Sequence, residues 1–82
     1  MGLPHKRLIP PDKAAKALGV GLRVKRQARG LSQMLFSELC DLHPTHVSVI
    51  ERGMKSPTFY TLAKIALVYE KKPSELLAEI GL

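Results

Sequence analysis

The sequence predicts an all-α domain of five short helices, and three observations carry that prediction. Apolar residues recur at spacings of three and four, as in Leu18 and Leu22 or Val47 and Ile50, and no stretch shows the period-two alternation of a strand. Each periodic stretch is bracketed by residues that start or stop helices. The chain has 82 residues, which at roughly 100–200 residues per domain suits one small domain and excludes a two-domain enzyme.

The elements follow in order. Residues 1–11 hold Pro4, Pro10 and Pro11 beside Lys6 and Arg7 without apolar periodicity, and read as a flexible basic arm ahead of a domain over residues 12–82. Asp12, after two prolines and before Lys-Ala-Ala-Lys-Ala-Leu, suits an N-cap, so a first helix runs from about 13 to 29 and stops at Gly30. Gly19 and Gly21 weaken its middle by about 1 kcal/mol each relative to alanine, which leaves a later start near Leu18 open. Ser32 caps a second helix from Gln33 to about Cys40, and Asp41-Leu42 makes a tight turn. Pro44 suits the first position of a third helix that ends at Gly53. Thr58 caps a fourth helix reaching about Tyr69, Lys71-Lys72-Pro73 breaks it, and residues 74–80 form the last.

Charge narrows the function classes. The formal net charge is +6, but it is unevenly spread: residues 1–30 carry eight cations against Asp12 alone, whereas residues 31–82 carry five cations against six acids. Such asymmetry suggests a face for a polyanion, either nucleic acid or an anionic membrane surface. The first helix mixes its cations among apolar residues without a bulky anchor, which disfavours the membrane. The longest apolar run, Ile65 to Tyr69, is far short of the ~18 residues of a membrane span or the ~7–15 of a signal-peptide core. The single cysteine, Cys40, cannot form an internal disulfide, so a reducing cytoplasm is the expected location.

The second and third helices are about eight residues each, and the turn between them is so short that they must cross steeply, as in a helix-turn-helix over 33–52. Helical spacing puts Val47, Ile50 and Glu51 on the inward side of the third helix. Thr45, His46, Ser48, Val49 and Arg52 fall on the other. That outer side is short, mostly polar and free of acids, which suits a DNA major groove. One charge lies on each of two apolar stripes: Arg26 follows Leu18 and Leu22 by fours, and Glu51 points with Val47 and Ile50. Burying either alone would cost several kcal/mol, so we infer an ion pair between Arg26 and Glu51, the alternative being that both heads reach water.

Taken together, Leu18-Gly19, Arg26, Gly30-Leu31-Ser32-Gln33, Val47-Ser48-Val49-Ile50-Glu51-Arg52-Gly53, Ser56-Pro57-Thr58, Leu62-Ala63-Lys64-Ile65-Ala66 and Leu76-Leu77 resemble the phage-repressor/Cro (XRE-type) helix-turn-helix family over about residues 18–77. Within it the chain is similar to restriction-modification controller proteins. The resemblance implies a compact five-helix, lambda-repressor-like DNA-binding domain, usually dimeric, that regulates transcription. It implies that Gln33, at the start of the second helix, meets a phosphate; that Pro44, Thr45, His46 and Val49 lie at base-reading positions, with Ser48 on the same face; that Arg52 and Lys55 grip the backbone; and that Arg26 and Glu51 are the family's buried pair. This sequence departs from the family pattern at Pro44, where a long polar reader is common, at Ser37 and Asp41, where alanine and the turn glycine usually sit, at Lys71, in place of a buried valine, and at Met34 and Leu35, where polar residues are common.

The expected partners are double-stranded DNA, bound at a pseudo-palindromic operator as a repressor or autoregulator, and a second copy of the chain. Leu76, Leu77 and Ile80, with Leu82, exceed what a short terminal helix can bury and are the expected dimer contact. Cys40, His43 and His46 have a C-x2-H-x2-H spacing, but three ligands straddling a turn do not make a metal site, and no metal, cofactor or small-molecule ligand is expected. No phosphate-binding glycine loop, catalytic triad or cleft acids point to an enzyme. The alternative reading is a protein-protein adaptor or antitoxin-like module on the same fold, against which the basic first half and the acid-free face argue.

Overall fold

A computed structural model describes residues 10–82. Five helices follow one another: α1 (Pro11–Ala28), α2 (Gln33–Cys40), α3 (Pro44–Glu51), α4 (Phe59–Val68) and α5 (Pro73–Ile80). The predicted basic arm with Lys6 and Arg7 lies outside the described residues, apart from Pro10 and the first helical residue, Pro11.

α1 starts earlier than the sequence predicts. Pro10 is its N-cap and Pro11 its first residue, so Asp12 lies in the first turn and caps nothing with its side chain. Proline at the first helical position has its φ preset and its missing N–H is harmless, while Asp12 still faces the positive end of the helix dipole. Ala14 N–H then donates to the Pro10 carbonyl at 2.9 Å. At the other end Gly30 takes a φ of +67°, and Leu31 N–H returns to the Arg26 carbonyl, closing the helix.

Each turn has its own chemistry. Ser32 accepts from Leu35 N–H at 3.1 Å, and Thr58 from Thr61 N–H at 3.1 Å, as N-caps should. Asp41 ends α2 in the left-handed region at φ 56°, which a short polar side chain tolerates better than most. α4 is stopped by Glu70, also left-handed at φ 55°, ahead of Pro73. Glu75 reaches back to accept from Lys72 N–H at 2.9 Å and starts α5.

The core joins all five helices: Leu18 and Leu22 of α1, Phe36 and Cys40 of α2, Val47 and Ile50 of α3, Leu62, Ile65 and Ala66 of α4, and Leu76 of α5, with Tyr69. α1 packs on α3 and α5, α2 on α3 and α4, and α4 on α5. The two glycines that weaken α1 on propensity grounds have packing roles. A Cβ on Gly19 would stand 2.5 Å from the Ile50 carbonyl oxygen and 2.6 Å from that of Glu51; the bare Cα lets α1 touch the end of α3. Gly21 makes room for the Ile80 side chain in the same way.

Three further expectations are corrected or resolved here. Leu76, assigned to a dimer contact, is completely buried in its own chain, because α5 is so short that its central apolar residue is needed to close the core. Lys71 is exposed and pairs with Glu79, which also holds Lys25, so this position is not part of the core. Ser37 is buried, and its hydroxyl donates to the Met34 carbonyl at 2.6 Å, so its polar group is satisfied.

Candidate nucleic-acid interface

α3 is eight residues long and cannot be stable alone; its position is set from both ends and from beneath. Pro44 is its first residue and His43 its N-cap, with the imidazole Nδ1 accepting from Thr45 N–H at 3.1 Å. That bond requires Nδ1 unprotonated and leaves Nε2 to carry the hydrogen. At the far end Arg52 is the C-cap and Gly53 takes a φ of +72°. The Cα of Lys16, on α1, would lie 2.7 Å from a Cβ on Gly53; any other residue there would push the α3–α4 turn off α1.

Val47, Ile50 and Glu51 are buried, so the opposite side of α3 faces out. Thr45 and His46 are exposed, as are Arg52 and Lys55 beyond the helix end, while Pro44, Ser48 and Val49 are half-buried. The Arg52 side chain bends back so that Nε lies 3.4 Å from the Ser48 carbonyl. With Glu51 turned inward, this outer side presents no carboxylate.

Beneath α3 lies a polar network that joins three helices. Arg26 Nε donates to Glu51 Oε2 at 2.7 Å and Nη2 to Oε1 at 3.0 Å, a two-pronged pair, while Nη1 donates to the Leu31 carbonyl at 2.7 Å. Both residues are only 7% exposed. The Glu51 carboxylate bond raises the Arg26 pKa above its ordinary value against the opposing effect of burial. Gln33, the first residue of α2, donates from Nε2 to Glu51 Oε1 at 2.9 Å, which leaves its second amide hydrogen free in bonding capacity. Glu51 thus anchors α3 to α1 and to the start of α2 with one carboxylate.

Two further groups sit on this core and titrate far from their ordinary values. Burial pushes the Cys40 thiol up to about 11 and the Tyr69 phenol up to about 12. The Tyr69 hydroxyl is buried without a hydrogen-bond partner among the described residues, and its ring lies 6.0 Å from that of Phe36. Cys40 is buried and His43 is occupied as a cap, and among the described residues no three His, Cys, Asp or Glu side chains come together as a metal site.

The structure therefore brings Gln33, Arg26 and Glu51 into one cluster and leaves Thr45, His46 and Arg52 on the surface above it. Sequence reasoning missed two things here: His43 as a cap, for which its place just before Pro44 was the signal, and the Gln33 bond to Glu51, for which no local signal exists. Among the described residues no helix is long and apolar enough to cross a membrane.

Comparison with known proteins adds the following. The model of the family described as Helix-turn-helix matches residues 22–76. The restriction-modification controller protein C.AhdI from Aeromonas hydrophila is similar in structure, with a TM-score of 0.73 and 31% identity over 78% of this chain and 97% of that one. The clp gene regulator ClgR from Corynebacterium glutamicum is also similar, with a TM-score of 0.73 and 27% identity over 82% of this chain and 71% of that one. No curated protein sequence matches the chain.

Proposed function

Given that the chain belongs to the XRE-type helix-turn-helix family, we propose that it is a sequence-specific double-stranded DNA-binding regulator of transcription. The observation that carries this reading is the outer side of α3: short, free of carboxylates, with Thr45 and His46 exposed and with two cations, Arg52 and Lys55, at its end. A helix of this width enters a major groove, where a hydroxyl, an imidazole and a methyl group meet base edges and thymine methyls. Gln33, with its remaining amide hydrogen and the unpaired N–H groups of the α2 start, takes a phosphate, and Arg52 and Lys55 take others. A controller protein and a gene regulator among the similar structures support the reading.

In its finer form the proposal is a dimeric repressor or autoregulator on a pseudo-palindrome, with recognition helices roughly 34 Å apart. With Leu76 internal, the surface offered for pairing is Leu77 and Ile80, both half-buried, together with the exposed Leu82, Val20 and Val24. Selection of duplexes from a random pool, then footprinting upstream of the chain's own gene, tests the whole. The expected result is an enriched inverted repeat and a protected site, with affinity that falls steeply with salt. Equal affinity for all duplexes at matched salt would refute sequence-specific binding; a strict monomer in sedimentation at high micromolar concentration, with and without the enriched duplex, would remove the dimer.

A further inference from the structure

Eight of the thirteen cations fall in residues 1–30, and the fold sorts those of α1 by their partners. Lys25 is tied to Glu79 and Arg26 to Glu51. Lys16 and Arg23 are exposed, and among the described residues no carboxylate pairs with either. Neither belongs to the α3 face described above.

Helical spacing puts Lys16, Gly19 and Arg23 on one side of α1, three residues and then four apart. That side is laid against the end of α3, where a Cβ on Gly19 would stand 2.5 Å from the Ile50 carbonyl oxygen. One turn earlier, Lys16 lies against Gly53: its Cα and its Cγ would each be 2.7 Å from a Cβ there. The Lys16 stem therefore runs past the residue that follows Arg52, and Lys55 is two residues further on. Arg23 stands one turn beyond Gly19 in the other direction. The contact between α1 and the end of α3 is thus flanked by a cation on each side.

We propose that this edge of α1 is a second grip on duplex DNA, in which Lys16 and Arg23 each take a phosphate of the strand beside the groove that α3 enters. The proposal rests on the DNA-binding reading and extends it to a helix outside the helix-turn-helix. Continuity carries it: Lys16 adjoins the turn that bears Arg52 and Lys55, so the cations of α1 prolong a row that already ends α3. At 1.5 Å per residue, Lys16 and Arg23 are about 10 Å apart along α1, close to three steps of a strand at roughly 3.4 Å each. They meet separate phosphates. Such contacts fix register and carry no sequence information, so the edge sets how α3 is seated and not which bases it prefers. One carboxylate opposes the grip: Asp12, exposed one turn before Lys16 and on the same side of α1. An isologous contact of two copies centred on this edge would set cations against cations, which is unfavourable.

The test is the salt dependence of binding by the whole chain, followed by anisotropy of two fluorescein-labelled duplexes, one of random sequence and one selected from the pool. Each phosphate contact adds roughly 0.9 to the slope of log affinity against log salt, or about threefold in affinity between about 50 and 200 mM. Lys16→Gln and Arg23→Gln are each expected to lower the slope by about 1 and the double variant by about 2, with equal losses on the two duplexes. Their melting temperatures should stay within a few degrees of the parent chain. Lys16→Arg should keep the slope, as should Lys72→Gln at the start of α5. Asp12→Asn should tighten both duplexes about twofold at the lowest salt and leave affinity unchanged at high salt. A double variant with the parent slope, beside an Arg52→Ala variant whose slope falls, would overturn the proposal and leave the α3 reading standing. A loss of affinity at unchanged slope with a lowered melting temperature would also overturn it, since Lys16 would then only support Gly53. So would a dimer of the parent chain that the double variant dissociates, which would give the edge to a second copy. A parent chain that binds neither duplex at the lowest salt would overturn the DNA reading itself, and the proposal with it.

Discussion

Replacing Glu51 by alanine tests the internal network most directly. The substitution removes the acceptor of two Arg26 bonds and one Gln33 bond at 2.7–3.0 Å. The guanidinium, 7% exposed, keeps only the Leu31 carbonyl as a partner. Stranding a buried charge in this way costs about 3–5 kcal/mol. Domains carry roughly 0.05–0.15 kcal/mol per residue, which for 82 residues is about 4–12 kcal/mol in total, so the variant should stand near the edge of folding. Its Tm should fall by roughly 12–40 °C, at about 4–8 °C per kcal/mol. Urea unfolding followed by circular dichroism at the helical bands is the assay, since the chain has no tryptophan. The double variant Arg26→Met with Glu51→Leu replaces both charges by apolar groups of similar length and should lose less than Glu51→Ala alone. A loss below about 1 kcal/mol for Glu51→Ala, the range of a solvent-exposed pair, or a double variant that loses the sum of its singles, would show that the pair is not buried in solution.

Three other outcomes are expected. Gly19→Ala should destabilise by about 1–3 kcal/mol in urea unfolding despite the better helix propensity of alanine, because its methyl meets the Ile50 and Glu51 carbonyls; a gain in stability would mean that α1 and α3 can move apart freely. For the proposed DNA face, Thr45→Ala and His46→Ala should reduce the preference for the selected duplex over a random one, while Arg52→Ala and Lys55→Ala weaken both alike and each lower the salt slope by about 1. Alkaline unfolding should begin early: the Cys40 thiol, pushed up to about 11 from an ordinary 9, loses its proton first in the unfolded chain, so its contribution is complete below pH 9 and disappears as pH rises to 11. Cys40→Ala should flatten the stability profile in that window, and an unchanged slope would count against the thiol as its source.

Much of the architecture was legible because it is written locally. Ser32 and Thr58 cap the helices they precede, Asp41 bends as a short polar residue can, and the spacing of Val47, Ile50 and Glu51 gives the buried side of α3. Arg26 and Glu51 were legible as a pair because each breaks an apolar stripe and neither can be buried alone. What local reasoning got wrong depends on distant parts of the chain. Gly19 reads as a weak point until the end of α3 is laid against it. Leu76 reads as surplus surface until α5 is folded onto α1 and α4, since periodicity tells which side of a helix is apolar and not which molecule covers it. The start of α1 was misassigned for another reason: Asp12 and Pro11 are both good helix starters, one as cap and one as first residue, and the choice between them turns on the backbone of Pro10. Lys71 shows the limit of a family pattern, because in this chain the position is exposed and its side chain pairs with Glu79.

The position of Arg26 has a consequence for how such a protein can change. One guanidinium ties the end of α1, the turn after it and the last residue of α3, and Glu51 passes the tie on to the start of α2. Every fastening of α3 is thus on its underside or at its ends, and none uses the side chains of Thr45 or His46. The outer side is mechanically idle, so it can be rewritten as a cassette: new residues at 45 and 46 alter what α3 presents without loosening what holds it. On the proposed DNA face, variants at these two positions should therefore differ widely in binding preference and hardly at all in melting temperature.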